Sequence, residues 1–150
     1  MSGPGANMNP HSIFLVEDHA GFANALNNML SQNQALKIVA VAETAEQALE
    51  QLRSLKVDLV LIDFSLPDMT GLNLLERLHH EDPDLRCAIL SGHLLPQHAR
   101  RALDVGGRGY LIKDNPLEIL TGIECMLRGE IYVSEQLRDS SSTDLLAGLI

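Results

Sequence analysis

The chain has 150 residues, about one domain's worth, with 45% hydrophobic residues, 3% aromatic residues and a formal net charge of −9. The acidic balance argues against nonspecific nucleic-acid binding by this segment. No apolar run approaches the ~20 residues needed to span a bilayer, and the N-terminus lacks the basic region and apolar core of a signal peptide, so the sequence reads as cytoplasmic.

Residues 1–10 are rich in Gly, Pro and Asn and read as a disordered tail, with Met8 a candidate natural start. Strands and helices then alternate. Ile13-Phe14-Leu15-Val16 places a strand over 12–16, and Glu17-Asp18 follow it. The next helix covers 20–31, with Phe22, Leu26, Met29 and Leu30 on one face. A strand over 37–41 leads to Thr44 and Gln47, a capping-box start for a helix over 45–55. The strand over 59–62 runs into Asp63, with Pro67 and Gly71 in the loop beyond. A helix over 72–80 ends in His79-His80, read as exposed. The strand over 87–90 leads to Ser91 and Gly92. Pro96 suits the first turn of a helix reaching 105, with Arg100-Arg101 on its solvated face. The strand over 109–112 leads to Lys113, and a helix from Pro116 ends at Arg128-Gly129, a basic last turn and a glycine cap. The domain spans 11–137, and 138–150 reads as linker or tail. Five such units predict an α/β fold with a parallel sheet covered on both faces and right-handed crossovers. Cys87 and Cys125 lie in apolar patterns and read as reduced core thiols rather than a disulfide or metal site.

Open α/β sheets bind ligands at the carboxyl ends of their strands. Glu17, Asp18, Asp63, Ser91 and Lys113 all fall there. Three acids, a hydroxyl and an ammonium suit a hard divalent cation and a phosphoryl group. Each has a plainer reading alone. A strand-end Asp often caps a helix, Glu17-Asp18 could complement a helix dipole, Ser91 could be a loop hydroxyl and Lys113 a surface charge. Their joint order favours a site. Asp68 lies outside that set, and His19 and His93 beside it read as exposed loop histidines.

These residues resemble the receiver domain of two-component response regulators. The acidic pair, an Asp with Pro and Gly downstream, the Ser and the Lys stand in that family's order, with 28 residues from Asp63 to Ser91 and 22 from Ser91 to Lys113. Gly106-Gly107-Arg108-Gly109-Tyr110-Leu111-Ile112-Lys113-Asp114 and Arg128-Gly129-Glu130-Ile131-Tyr132-Val133-Ser134 are similar to signatures of the NarL/FixJ (LuxR-type) subgroup. The resemblance covers about 11–137. It implies the flavodoxin-like doubly wound sheet, five strands in the order 2-1-3-4-5.

It also implies chemistry. Asp63 would be the phosphoacceptor, charged by a sensor histidine kinase. Mg²⁺ would sit on Glu17, Asp18, Asp63 and the backbone carbonyl of Ser65. Ser91, Gly92 and Lys113 would hold the phosphoryl oxygens, and Ser91 with Tyr110 would form the switch, with a core role for Tyr110 as the alternative. The expected protein is no metabolic enzyme, although it would catalyse its own phosphorylation and dephosphorylation. Its expected output is a phosphorylation-dependent homodimer controlling transcription. DNA would be met only through a C-terminal helix-turn-helix domain beyond this sequence, and no membrane is involved. A complete single-domain receiver acting through protein contacts is the alternative. The departures are a Glu-Asp acidic pair in place of Asp-Asp, Ser91 in place of Thr, and Asp114 in place of Pro. Haloacid dehalogenase hydrolases also use a strand-end Asp, but they need a second Asp where Ser65 stands.

Overall fold

A computed structural model describes residues 9–93 and 95–138. The tail and linker readings for 1–8 and 139–150 lie outside the described residues. Six strands form one parallel sheet in the order β2-β1-β3-β4-β5-β6. The strands are β1 (His11–Val16), β2 (Leu36–Ala42), β3 (Leu59–Asp63), β4 (Cys87–Ser91), β5 (Gly109–Ile112) and β6 (Tyr132–Val133). The helices are α1 (Ala20–Leu30), α2 (Ala45–Leu52), α3 (Gly71–Glu81), α4 (Pro96–Asp104), α5 (Pro116–Leu127) and α6 (Glu135–Arg138). The expected five-strand order is present, and β6 extends it. Two residues are too few to show a period, so β6 left no pattern in the sequence.

The central strands β3, β4 and β5 are buried throughout, as strands covered on both faces must be. Alternation along each strand divides the core in two. Phe14, Val16, Val60, Ile62, Ile89 and Tyr110 pack against α2, α3 and α4. Ile13, Leu15, Leu59, Leu61, Leu90 and Leu111 pack against α1 and α5. Edge strand β2 alternates instead, and Val39 is the extra residue where its pairing with β1 slips between Ile13 and Phe14. Parallel register then aligns the strand ends: Val16 lies opposite Ile62, Asp63 opposite Leu90, and Ser91 opposite Ile112. Among the described residues no helix is long and apolar enough to cross a membrane.

Helix ends follow local chemistry. Thr44 caps α2 as expected, its hydroxyl accepting from Gln47 N–H at 3.1 Å. The reciprocal arm differs from a strict capping box, because Gln47 Oε1 accepts from Glu43 N–H at 3.0 Å rather than from Thr44. After α5, Gly129 takes a φ of +90°. Its N–H reaches Met126 O at 2.9 Å and Glu130 N–H reaches Cys125 O at 3.1 Å, a Schellman closure. His79 corrects the sequence reading. It is half-buried, and a side chain at Gly106 would strike its ring. Gly106, at a φ of +104°, leaves room for that imidazole under the α4–β5 turn, which helical periodicity cannot reveal. His80 is exposed as expected.

Candidate functional site

The ends of β1 and β3 bring Glu17, Asp18 and Asp63 together, with one carboxylate oxygen from each within 4.8 Å of the others. Glu17 and Asp63 are 1% and 7% exposed, whereas Asp18 faces solvent. Lys113 follows β5, and its backbone N–H donates to Ser91 O at 2.9 Å. That bond holds its ammonium at 2.7 Å from Glu17 Oε1 and 3.1 Å from Asp63 Oδ1. Lys113 thus pairs with both buried acids. Three carboxylates cluster where one ammonium pairs with two of them. Burial pushes the Glu17 carboxyl above its ordinary value; the hydrogen bond from Lys113 pulls it down, and the Asp63 charge adds to the rise. An oxygen-only, half-buried cluster with uncompensated negative charge fits a hard divalent cation.

Around this cluster the backbone is closely tied. Phe64 N–H donates to Leu90 O at 2.8 Å, and Gly71 N–H donates to Phe64 O at 2.7 Å. A β-carbon at Gly71 would collide with the backbone carbonyl of Asp63, so only glycine lets α3 start so close to the acid. Ser65 and Thr70 bridge the loop between, and Ser65 N–H donates to Asp63 Oδ1 at 3.4 Å. The Phe64 ring stacks on His98 of α4 with centroids 4.3 Å apart, tying the β3–α3 loop to α4. Nothing in the one-dimensional pattern pointed to that contact.

Ser91 ends β4 and is 1% exposed. Its hydroxyl accepts from His93 N–H at 3.1 Å and donates to His93 O at 3.4 Å. Gly92 stands over open space. Tyr110 lies two residues earlier on β5 than Ile112, fully buried, with its hydroxyl donating to His93 O at 3.1 Å. Burial raises its pKa, with a hydrogen bond to Ser91 opposing. Tyr110 and Ser91 thus share one turn.

Every residue expected at the strand ends is there, and His19 and His93 are exposed as read. His19 also caps α1, its Nδ1 accepting from Phe22 N–H at 3.1 Å. Arg100 and Arg101 are exposed on α4, pairing with Asp104 at 3.7 Å and Glu76 at 3.6 Å. Cys87 is buried, its thiol pushed up to about 12 by desolvation, and Cys125 is half-buried; both are free. Two neighbours escaped the sequence reading. Asp68 accepts from Ala45 N–H at 2.9 Å and Glu46 N–H at 3.0 Å, capping α2 from another loop. Phe22 lies under Lys113, its ring centroid 4.6 Å from the ammonium. Both are long-range pairings of residue types that the local sequence leaves unremarkable.

Comparison with known proteins shows the family of the chain. Residues 13–124 match the family model described as the response regulator receiver domain. The nitrate/nitrite response regulator protein NarL of Escherichia coli K12 is 30% identical over 143 residues, which cover 95% of this chain and 66% of that protein. The transcriptional regulatory protein DesR of Bacillus subtilis is 31% identical over 130 residues, covering 85% of this chain and 64% of its own length. The chain therefore spans just under two thirds of these curated relatives. Among solved structures, a LuxR-family two-component response regulator from Aurantimonas sp. SI85-9A1 superposes with a TM-score of 0.85 at 25% identity, covering 91% of this chain and 99% of that one.

Proposed function

The chain belongs to the response regulator receiver domain family, and from that premise we propose that Asp63 is its phosphoacceptor. A single observation carries the reading: a buried strand-end carboxylate shares its ammonium partner with a second buried acid, beside an exposed third. Glu17, Asp18 and Asp63, with the Ser65 carbonyl, are the groups that would hold Mg²⁺. When bound, Mg²⁺ supplies positive charge against the crowded carboxylates and the incoming anion.

The chain's own residues supply the rest. An Asp63 oxygen attacks the donor phosphorus, forming an acyl phosphate as the donor's P–O or P–N bond breaks and its electron pair leaves with the donor. Lys113 sits where it can follow the charge from the carboxylate onto the phosphoryl oxygens. Ser91, whose hydroxyl now turns back on His93 and meets the Tyr110 hydroxyl, can offer it instead to one of those oxygens, and Gly92 leaves the approach open. Drawing Ser91 away from the His93 turn removes a partner from the turn that Tyr110 also holds, which couples the site to the β4–α4 loop. The proposed donor is a sensor histidine kinase in the cytoplasm. The proposed output is homodimerisation and, through a further domain of the kind that makes its relatives longer, control of transcription at DNA.

Acetyl phosphate with Mg²⁺ tests the acceptor. Intact-mass measurement is expected to show one added phosphoryl group, and Asp63→Asn is expected to abolish it. Undiminished labelling of that variant would remove Asp63 from the mechanism.

A further inference from the structure

We propose that Phe22 is a positioning residue for Lys113, holding its ammonium over the site without neutralising it; this rests on the reading of Asp63 as phosphoacceptor. Lys113 is bounded on one side by Glu17 and Asp63 and on another by the Phe22 ring, at 4.6 Å to the centroid. That distance is within cation–π range, and the side chain is only 20% exposed, so the attraction is partly desolvated.

The three partners are not equivalent. Glu17 and Asp63 are the groups that a cation and a phosphoryl group take over, so their hold on Lys113 weakens as the site is used. A fourth carboxylate in place of the ring would cancel the charge that the phosphoryl oxygens need. An aromatic face attracts the ammonium, keeps water from one side of it, and leaves its charge available. The ring itself is fixed from below. Phe22 lies in the first turn of α1, its N–H bonded to His19 Nδ1, and α1 is anchored by buried Ala23, Leu26 and Leu30. The rival reading makes Phe22 an ordinary half-buried core residue on the α1 face.

The whole 150-residue chain separates these readings. It has three lysines, Lys37, Lys56 and Lys113, so ¹³C-lysine labelling gives three ε-methylene signals. The Lys113 signal is expected upfield of the others through the ring current, and Phe22→Leu is expected to return it to their position. With acetyl phosphate and Mg²⁺, Phe22→Leu is expected to slow Asp63 labelling about two- to tenfold while Mg²⁺ affinity stays unchanged. Phe22→Tyr and Phe22→Trp are expected to restore both signal and rate. An unshifted Lys113 signal in the wild-type chain overturns the proposal even should Phe22→Leu fail to fold. So does labelling of the Tyr and Trp variants that stays as slow as that of Phe22→Leu, since the ring would then serve packing alone. A wild-type chain that shows the shift but takes no phosphoryl group would instead remove the acceptor reading, with the ring still shown to hold the ammonium.

Discussion

The two ends of the sheet treat carboxylates in opposite ways. At the amino end, Asp58 accepts from Ser12 N–H at 2.8 Å and Ser12 Oγ–H at 3.2 Å, with His11 at 3.6 Å. Its own N–H donates back to Ser12 O at 2.8 Å. The Ser12 N–H, ahead of the other contacts, holds its carboxyl below the ordinary value. At the carboxyl end, Glu17 and Asp63 are more deeply buried yet receive only long backbone hydrogen bonds, 3.2 Å from His19 and 3.4 Å from Ser65. There the Glu17 carboxyl rises. An acid that the backbone satisfies closes a structure, whereas acids crowded around a single ammonium leave a demand for a cation.

Metal addition is the largest test of that contrast. A ligand bound only by the folded state stabilises it by about 2.7 kcal/mol at a hundredfold excess over its Kd. Titrating Mg²⁺ against thermal unfolding is expected to raise the Tm of the wild-type chain. Asp18→Asn is expected to lose most of that rise. Asp58→Asn is expected to start lower and keep it. A loss in Asp58→Asn equal to that in Asp18→Asn would erase the distinction between the two ends.

The serines sharpen it next. Ser12 and Asp58 close a reciprocal ring, in which Asp58 N–H also reaches Ser12 Oγ at 3.1 Å. Ser91 turns back on His93 and the Tyr110 hydroxyl, with its donated bond long at 3.4 Å. A hydroxyl so loosely engaged can change partner. A hydrogen bond to a charged group contributes about 1.5–3 kcal/mol, and giving up the His93 contact places Ser91 near the lower end. Ser91→Ala is therefore expected to accept phosphate at Asp63 while losing about 1.5 kcal/mol of the coupling that shifts α4 and β5. NMR with beryllofluoride reads this. Wild-type shifts confined to residues touching the ligand, or full α4 shifts in Ser91→Ala, would each contradict it.

Much of this was legible in the sequence because it is local. Apolar runs such as Leu59-Val60-Leu61-Ile62 mark buried strands by composition alone, and the acid, hydroxyl or lysine after each run falls at a strand end by construction. The order of strands came through the family resemblance rather than through periodicity. What stayed hidden depends on residues that meet only after folding. The Phe64–His98 stack, the Phe22 ring under Lys113 and the His79 ring against Gly106 join different elements, and neither partner announces the other. Strand β6 was hidden for another reason: β5 recruits it through Tyr132 N–H to Arg108 O at 3.0 Å and Ser134 N–H to Tyr110 O at 2.9 Å, not through any preference of a two-residue segment.

Asp68 refines the comparison, because it lies at the carboxyl end and yet behaves like Asp58. Burial would push its carboxyl up, but N–H groups of Ala45, Glu46, Asp68 itself and Met69 outweigh that and hold it below the ordinary value. Backbone donors, not the end of the sheet, therefore decide which acids are structural. Asp68→Asn keeps one accepting oxygen and loses the two-oxygen cap on α2, a change worth about 0.5–1 kcal/mol for an exposed, solvent-screened group. The sign follows from the shift. A carboxyl with a lower pKa folded than unfolded adds stability above its unfolded value, about 3.9, and loses it as the pH falls through the folded one. Urea midpoints are expected to separate wild type from Asp68→Asn at pH 7 and to converge as the pH falls below about 4. Mg²⁺ affinity is expected to be the same in both. A gap that persists unchanged into acid would show that the cap is not carried by the charge. A weakened Mg²⁺ response in Asp68→Asn would move this acid from the structural group to the site.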